Sequence, residues 1–285
     1  MTDINKDQIA YWNGDMAERW LKTETQLDEV FETPLAEIIR IANAQPGESV
    51  LDVGCGSGAS TFPVARQVAP VGKVVGIDVS QPMLARAKQH LATMDLNNVS
   101  FVKADAQTHA FEAQQFDLIF SRFGVMFFDD PVAAFRNLGE TLKLGGRLAV
   151  MAWGTVDDNN PWFSVPRDIT IAKVGPTAAP ADPFAPSPFA FADVDRVTGI
   201  LERAGLNDVE GQRIETELKF DDSERNAAEM MVLVGPAARL LREHNASPEI
   251  VQAVQRELAR QLERFRDGNT LRIPATVTVF TARRG

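Results

Sequence analysis

Short apolar and β-branched runs alternate with helical patterns between Glu48 and Trp153, and this alternation restricts the possible fold more than any other feature of the chain. The runs are nearly continuous in apolar residues, which is typical of parallel strands covered by helices on both faces. We therefore expect a doubly wound, mostly parallel α/β sheet. A helix that begins at Pro131 is expected to end at Gly145-Gly146. The predicted strands are 49–53, 73–78, 99–104, 116–121 and 147–153.

The segments outside this region predict two further strands and several helices. Residues 5–44 have a mostly helical pattern, and 209–220 and 275–282 are the sixth and seventh strands. Residues 223–266 have the pattern of a helical insertion, whereas the five prolines of 176–188 exclude a helix or a central strand. The expected domains are an N-terminal helical lid, 1–44, an α/β core, 45–153, and the remainder of the sheet, 154–285.

Composition and charge exclude several classes of protein. The 285 residues include 39 acidic and 29 basic side chains, and the formal net charge of −10 disfavours nucleic acid and anionic membranes as partners. Cys55 is the one cysteine, so an intrachain disulfide and a cysteine-rich metal site are excluded, and no metal is expected. No run of about 18 apolar residues occurs, and Met1–Gln8 lacks the pattern of a signal peptide. We expect a cytoplasmic protein without membrane insertion.

A glycine-rich turn, Gly54-Cys55-Gly56-Ser57-Gly58, follows the first predicted strand. Glycines at alternate positions allow a tight turn and the close approach of a ligand, and the next helix points its N-terminal amides at the same place. The spacing differs from the G-x-G-x-x-G of dinucleotide-dependent dehydrogenases. Asp52 precedes the turn, and its negative charge favours a ligand that carries an ammonium or sulfonium group over a pyrophosphate.

Acidic residues also end the second and third predicted strands. Asp78 is placed to accept hydrogen bonds from both hydroxyls of a ribose, as acids do at this position of doubly wound folds, with capping of the next helix as the alternative. Asp105 is placed to accept from an adenine amino group or to form an Asx turn. Three acids at successive strand ends around one glycine turn are difficult to explain by packing and favour a nucleoside ligand.

These motifs resemble those of the class I S-adenosylmethionine-dependent methyltransferases. The resemblance rests on VLDVGCGSG, VVGIDVS, KADAQ and FDLIFSRFGVMFFDDP, and within the family the chain is similar to the branch that includes the ubiquinone/menaquinone C-methyltransferases. It covers about residues 45–153, matches YWNGDMAERW more weakly, and is loose beyond Pro161. It implies a Rossmann-like sheet, S-adenosylmethionine as cofactor, S-adenosylhomocysteine as product, and methyl transfer to a small molecule.

The resemblance also implies roles for individual residues. The glycines of the turn would line the methionine and ribose part of the cofactor, with Asp52 near its amino group, Asp78 at the ribose and Asp105 at the adenine. Ser121 and Arg122 follow the fourth strand, where the transferable methyl group is expected. The implied cofactor-binding residues are Asp52, Gly54, Cys55, Gly56, Gly58, Asp78, Val79, Met83, Asp105, Ala106, Ser121 and Trp20. The implied acceptor-side residues are Tyr11, Trp12, Arg122 and Phe123.

Several of these residues have alternative explanations. Arg122, the one catalytic candidate, would orient an anionic acceptor, contact the cofactor carboxylate, or pair with Asp129 or Asp130. The N-terminal aromatic residues would close a lid over the cofactor or only dock their helix on the sheet. Cys55 is expected to fill space in the turn rather than act as a nucleophile. No general base is evident, so catalysis is expected to depend on proximity and desolvation.

The residues after the fourth strand restrict the acceptor. They read Ser121-Arg122-Phe123-Gly124 instead of the Asn/Asp-Pro-Pro-Tyr/Phe motif of enzymes that methylate amino groups of nucleic acids or glutamine. A small, apolar or aromatic acceptor is therefore expected, in a pocket shaped by the proline-rich segment and the helical insertion. The alternatives are a non-catalytic cofactor-binding protein of the same fold and an NAD-dependent oxidoreductase, which the glycine spacing disfavours. A monomer or a homodimer is expected.

Overall fold

A single mixed sheet forms the centre of the computed structural model, which describes residues 4–178, 182, 184–221 and 223–285. Its strands are β1 (Ser49–Val53), β2 (Lys73–Asp78), β3 (Val99–Lys103), β4 (Phe116–Arg122), β5 (Leu142–Trp153), β6 (Asn207–Phe220), β7 (Arg266–Asp267) and β8 (Thr270–Arg283). The strand order is β3-β2-β1-β4-β5-β8-β6, with β7 paired to β8. Strands β1 to β5 pair in parallel, and β8 runs antiparallel to β5 and β6. The predicted doubly wound, mostly parallel sheet is confirmed, and the two-residue β7 adds to its seven strands.

Helices flank this sheet along its width. They are α1 (Lys6–Asn13), α2 (Asp15–Lys22), α3 (Glu24–Val30), α4 (Glu32–Ala42), α5 (Thr61–Val68), α6 (Gln81–Leu91), α7 (Pro131–Thr141), α8 (Pro161–Val174), α9 (Val194–Arg203), α10 (Glu224–Met231), α11 (Pro236–Glu243) and α12 (Pro248–Leu262). Helix α5 packs on β2, α6 on β3, α7 on β5 and α9 on β6. The predicted helical insertion consists of α10, α11 and α12, and the last two pack on α8. None of the described helices is both long and apolar enough to span a membrane.

Two helices differ markedly from the sequence prediction. The helix that begins at Pro131 ends at Thr141 instead of Gly145-Gly146, and the chain enters β5 directly at Leu142. Gly145 has a positive φ of 74° and donates its N–H to a backbone carbonyl at the end of β8, so it bends a strand and does not stop a helix. Helix α8 was not predicted, because Pro161 and Pro166 lie within it and proline usually disfavours a helix interior. The described part of 176–188 contains no helix or strand, and Pro180 and Pro183 lie outside the described residues.

The turn after β1 lies directly against the turn after β4. Gly54 has a φ of +68°, and a Cβ atom built on it would lie 2.7 Å from the Cα atom of Gly124. A Cβ atom on Gly124 would lie 2.5 Å from the carbonyl oxygen of Val53. Both positions therefore need glycine, because here two backbones meet without room for a side chain.

Replacing Gly124 by alanine is expected to destabilise the protein by about 1–3 kcal/mol, because the new methyl group would have to displace backbone atoms. Gly199 provides a matched control: it lies inside α9, and a Cβ atom there would come no closer than 3.7 Å to its neighbour Arg203. Gly199→Ala should stabilise the protein by roughly 0.5–1 kcal/mol. Urea denaturation of both variants measures the two effects, and a Gly124→Ala protein as stable as the wild type would contradict the close contact.

Candidate functional site

The glycine turn forms a backbone cradle at the carboxyl ends of β1 and β2. Its three glycines, Gly54, Gly56 and Gly58, have positive φ angles of 68°, 54° and 96°. The N–H groups of Gly54 and Cys55 donate to the carbonyl of Ile77, at 2.9 and 3.1 Å, and tie the turn to β2. The left-handed backbone and missing side chains leave a surface that a ligand can approach closely.

Asp52 is a fully buried acid at the base of this cradle. Its Oδ2 accepts hydrogen bonds from Ser60 Oγ at 2.8 Å and Thr61 Oγ1 at 2.7 Å, whereas its Oδ1 has no hydrogen-bond partner among the described residues. Burial raises the pKa of Asp52 to about 6, and the two hydroxyls and the charge of Arg122 only partly oppose this. A buried carboxylate oxygen without a donor is costly, so it is suited to a ligand that brings a cationic donor.

Asp78 holds the turn from the end of β2. Its Oδ2 accepts from the N–H of Gly56 at 2.8 Å, and its Oδ1 accepts from the N–H of Ser80 at 2.8 Å. Burial raises the pKa of Asp78 although these hydrogen bonds lower it. Each carboxylate oxygen can accept a second hydrogen bond. Asp78 therefore stabilises the turn and also starts α6 through Ser80, and it retains capacity for a ligand.

Asp105 is engaged by the N-terminal segment. Both of its carboxylate oxygens accept from Asn5 Nδ2, at 3.0 and 2.9 Å, and Oδ1 also accepts from the N–H of Gln107 at 2.9 Å, which is the predicted Asx turn. Asn5 in turn accepts from the N–H of Asp129 at 2.8 Å. A ligand at Asp105 would therefore compete with Asn5.

The Cys55 and Met83 side chains pack inside the domain next to the turn. The Cys55 thiol lies in a small apolar cluster with Phe62 and Phe101, and burial raises its pKa well above the usual value. Met83 is buried, and its Cε lies 3.4 Å from the place that a Cβ atom on Gly56 would occupy. Cys55 is thus available to a ligand only through its backbone.

Two other predicted site residues make internal hydrogen bonds. The fully buried Ser121 Oγ donates to the carbonyl of Val53 at 2.7 Å and accepts from the N–H of Gly124 at 3.2 Å, so it joins the two glycine-containing turns. The carbonyl of Ala106 accepts from Asn137 Nδ2 at 2.9 Å. Ser121 therefore shapes the end of β4 from within.

The first helix, α1, packs on the loop that follows the carboxyl end of β2. Asn13 donates from Nδ2 to the carbonyl of Val79 at 3.1 Å and accepts at Oδ1 from the N–H of Gln81 at 3.0 Å. Ser80 Oγ donates to the carbonyl of Trp12. Val79, expected beside the adenine, thus also anchors α1.

The N-terminal aromatic residues form a series of ring contacts that reaches Phe127, after β4. The Trp12 ring lies 5.8 Å from that of Trp20 and 5.6 Å from that of Phe127, in edge-to-face arrangements. Tyr11 is 40% exposed; burial of part of its side chain raises its pKa, and a hydrogen bond with Arg242 of α11 opposes this. The N-terminal helices therefore contact both the core and the helical insertion.

Helix α3 brings acidic groups to the site that the sequence did not reveal. Glu24 is buried and pairs with Arg86 Nε at 2.6 Å and His90 Nε2 at 3.0 Å on α6, which hold its pKa below the usual value although burial raises it. One turn later, Asp28 Oδ1 lies 3.8 Å from Arg122 Nη2. The ion pair of Arg122 is thus with Asp28 rather than with either acid after β4.

Phe31, one turn beyond Asp28, is the centre of an aromatic cluster at the ends of β4 and β5. Its ring lies 5.8 Å from Phe123, 5.7 Å from Trp153 and 6.0 Å from Trp162. Phe123 has a positive φ of 63°, which is strained for a bulky residue, and its ring stacks on Trp153 at 4.2 Å. The helical spacing of Glu24, Asp28 and Phe31 is the one sequence signal that could have identified this face.

The comparisons with known proteins agree with this geometry. Residues 50–146, which include the glycine turn and the three strand-end acids, match the model of a methyltransferase domain. The aklanonic acid methyltransferase DauC of Streptomyces sp. (strain C5) is 38% identical over 128 residues, 45% of this chain and 58% of DauC. A demethylmenaquinone methyltransferase of Staphylococcus saprophyticus is 28% identical over 180 residues, 60% of this chain and 76% of that protein.

The chain therefore spans little more than half the length of DauC. Two solved structures share the fold of most of this chain. The YcgJ protein of Bacillus subtilis has a TM-score of 0.55 at 15% identity, over 88% of this chain and 97% of that chain. Phosphoethanolamine N-methyltransferase 2 of Haemonchus contortus was solved in complex with phosphomonomethylethanolamine and S-adenosylhomocysteine. It has a TM-score of 0.52 at 18% identity, over 88% of this chain and 52% of that chain. The predicted resemblance to S-adenosylmethionine-dependent methyltransferases is confirmed.

Asp52→Asn is expected to stabilise the unliganded protein at neutral pH. A folded-state pKa near 6 means that the folded chain holds this proton more tightly than the unfolded chain, so Asp52 favours folding only at low pH. That contribution is lost as the pH rises through 6, and ionisation then costs roughly 3 kcal/mol at most. Denaturation at pH 7 and pH 4 should show a gain for the variant that shrinks at the lower pH. An equal gain at both pH values would contradict the buried, ionised carboxylate.

Proposed function

We propose that this chain transfers a methyl group from S-adenosylmethionine to a small, apolar or aromatic acceptor. The observation that carries the proposal is the buried Asp52 carboxylate, which precedes the glycine cradle by two residues and has one oxygen without a hydrogen-bond partner among the described residues. An unsatisfied buried polar atom costs about 1–3 kcal/mol, and more when it is charged. A ligand that brings an ammonium group to this oxygen removes that cost, whereas the pyrophosphate of a dinucleotide would be repelled.

The remaining acids and the cradle would hold the nucleoside part of the cofactor. Asp78 would accept from the ribose hydroxyls with the lone pairs that its two backbone donors leave free. Asp105 and the backbone of Ala106 would contact the adenine after Asn5 releases the carboxylate. The other proposed cofactor contacts are Gly54, the backbone of Cys55, Gly56, Gly58, Val79, Met83 and Trp20. Ser121, which was also expected to contact the cofactor, is fully buried and instead supports the turn from within.

Catalysis in this proposal depends on positioning and on the exclusion of water. When bound, the cofactor would supply a methyl group on a positively charged sulfur, for which the neutral thioether is a good leaving group. Holding a reactant in line can contribute roughly 7–11 kcal/mol to lowering the barrier. The rings of Phe31, Phe123 and Trp153 would exclude water around the acceptor, and Tyr11 and Trp12 would close the site from the N-terminal side.

The acceptor side is proposed to involve the proline-rich segment. A cavity of about 740 Å³ lies beyond the end of β5, lined by Phe184 of that segment, by the following Phe189 and, at its polar side, by charged residues that include Arg167 and Arg213. The Phe189 ring lies 4.8 Å from Phe163, which lies 5.0 Å from Trp153, so apolar contacts connect this cavity to the end of β4 and β5. Two relatives are named for small molecules, aklanonic acid and demethylmenaquinone, and the net charge of −10 disfavours nucleic acid.

In this proposal the N-terminal helices (1–44) act as a lid, 45–153 binds the cofactor, and 154–285, with its helical insertion, forms the acceptor side. The enzyme would work in the cytoplasm, without membrane insertion, as a monomer or homodimer. A non-catalytic protein that only binds the cofactor is the remaining alternative, because such a protein would use the same cradle. An NAD-dependent oxidoreductase is disfavoured, because the unpartnered oxygen of Asp52 would repel the pyrophosphate of NAD.

Transfer of a labelled methyl group from S-adenosylmethionine to a panel of small aromatic molecules tests the activity. The proposal expects label in one or more of these molecules and none in DNA or peptide controls. Binding of S-adenosylhomocysteine without transfer to any acceptor would favour the non-catalytic alternative.

Asp78→Ala should weaken the binding of S-adenosylhomocysteine about ten- to a hundredfold, because a hydrogen bond to a charged group is worth about 1.5–3 kcal/mol. Calorimetric titration measures the affinity. Since Asp78 also binds the turn through Gly56, Asp78→Asn is the companion variant that keeps an acceptor for the turn. If both variants bind as tightly as the wild type, the ribose is held elsewhere.

A further inference from the structure

A carboxylate and a guanidinium group lie together where the acceptor is expected, and the proposed cofactor site uses neither. Arg122 Nη2 lies 3.8 Å from Asp28 Oδ1, which is an ion pair without close contact. The Arg122 side chain is 11% exposed, and its Nη1 has no hydrogen-bond partner in the described part of the chain. The Asp28 side chain is 38% exposed. The pair therefore contains a desolvated, unsatisfied donor beside a carboxylate that remains accessible.

The position of Asp28 on α3 places this pair at the reacting end of the site. Glu24, one turn earlier, binds Arg86 and His90 of α6, and Phe31, after the helix, packs on the rings at the ends of β4 and β5. Between these contacts, Asp28 approaches Arg122, the last residue of β4, at the carboxyl edge of the sheet.

We propose that the acceptor carries a phenolic or enolic hydroxyl group, that Asp28 removes its proton, and that Arg122 pairs with the resulting oxyanion. The inference rests on the proposed function, because it assumes methyl transfer at this edge. The O–H bond breaks, its electron pair remains on the oxygen, and the proton passes to a carboxylate oxygen of Asp28 and later to solvent. When bound, the cofactor would supply the methyl group to this oxygen, and the electron pair of the broken carbon–sulfur bond would remain on the sulfur of neutral S-adenosylhomocysteine.

The charges around Asp28 are consistent with such a base. Its pKa is raised by burial and by the neighbouring carboxylates Glu24 and Glu29 of the same helix, whereas Arg122 on β4 and His90 on α6 lower it. A base with a raised pKa drives proton transfer from a weakly acidic hydroxyl more effectively than an ordinary carboxylate. The positive charge of Arg122 lowers the pKa of a hydroxyl bound next to it.

A spectroscopic titration tests the pair without turnover. The coloured phenolate of 4-nitrophenol reports the ionisation of this probe when it is bound to the complex of the protein with S-adenosylhomocysteine. Arg122→Gln removes the positive charge and should raise the pKa of the bound probe, whereas Asp28→Asn removes the negative charge and should lower it. Each change is expected to alter the ionisation constant about tenfold. Shifts in the same direction, or none, would overturn the proposal.

Turnover separates a base from a residue that only supports the fold. The tyrosine side-chain analogue 4-methylphenol has a pKa of about 10 and needs a base, whereas 4-nitrophenol is far more acidic. Asp28→Asn should reduce methylation of 4-methylphenol about 10²–10⁴-fold at neutral pH. The rate should recover as the pH rises, because the phenol then ionises without a base, and the rate with 4-nitrophenol should change little. Glu32→Gln is the control: it removes the same charge from the first turn of α4, its side chain is exposed, and Glu32 is not among the groups that shift the pKa of Asp28. It should leave both reactions unchanged.

Four results would contradict the inference. Loss of activity in Arg122→Gln with none in Asp28→Asn would indicate an acceptor that is already anionic, such as a carboxylate. A large loss of S-adenosylhomocysteine affinity in Arg122→Gln would assign Arg122 to the cofactor. Equal losses on both phenols at every pH would indicate a structural role for Asp28. Failure of the wild type to bind either phenol, while it binds S-adenosylhomocysteine, overturns this inference alone, whereas failure to bind S-adenosylhomocysteine overturns the proposed function.

Discussion

The burial of one half-satisfied carboxylate is the constraint on which the rest of the site depends. Asp52 receives two hydroxyl hydrogen bonds from the start of α5 on one oxygen and none on the other, and burial raises its pKa to about 6. Two residues after Asp52 the chain turns at Gly54, where its backbone lies in direct contact with that of Gly124. An unpartnered charge of this kind is rare in a folded core, and it is explained if a cationic ligand completes it.

The N-terminal helices complete the site from the side opposite the sheet. Asn5 and Asn13 hold the ends of β3 and β2 through side-chain amides, and the face of α3 continues through Glu24 and Asp28 to the ends of β4 and β5. These contacts are polar near the proposed nucleoside site and aromatic around Phe31 near the proposed acceptor site. One segment can therefore order a charged cofactor and exclude water from an apolar acceptor.

The sheet and the strand-end acids could be predicted because their signals are local: apolar runs, glycines at fixed spacing, and an acid that ends each strand. The pairing of Asp28 with Arg122 could not, because the two residues are distant in the chain and each alone resembles an ordinary surface charge. Helix α8 was missed because its prolines hide its pattern, and Gly145 was assigned to the end of a helix although it bends β5. Whether Asp105 binds adenine depends on its competition with Asn5, which no local pattern contains.

Calorimetric titration of the wild-type protein with S-adenosylhomocysteine, with NAD in parallel, tests the central claim most directly. The orphaned oxygen of Asp52 and the glycine cradle predict saturable one-to-one binding of S-adenosylhomocysteine and no binding of NAD. Binding of NAD in place of S-adenosylhomocysteine would contradict both the proposed cofactor and the reason given for the buried carboxylate.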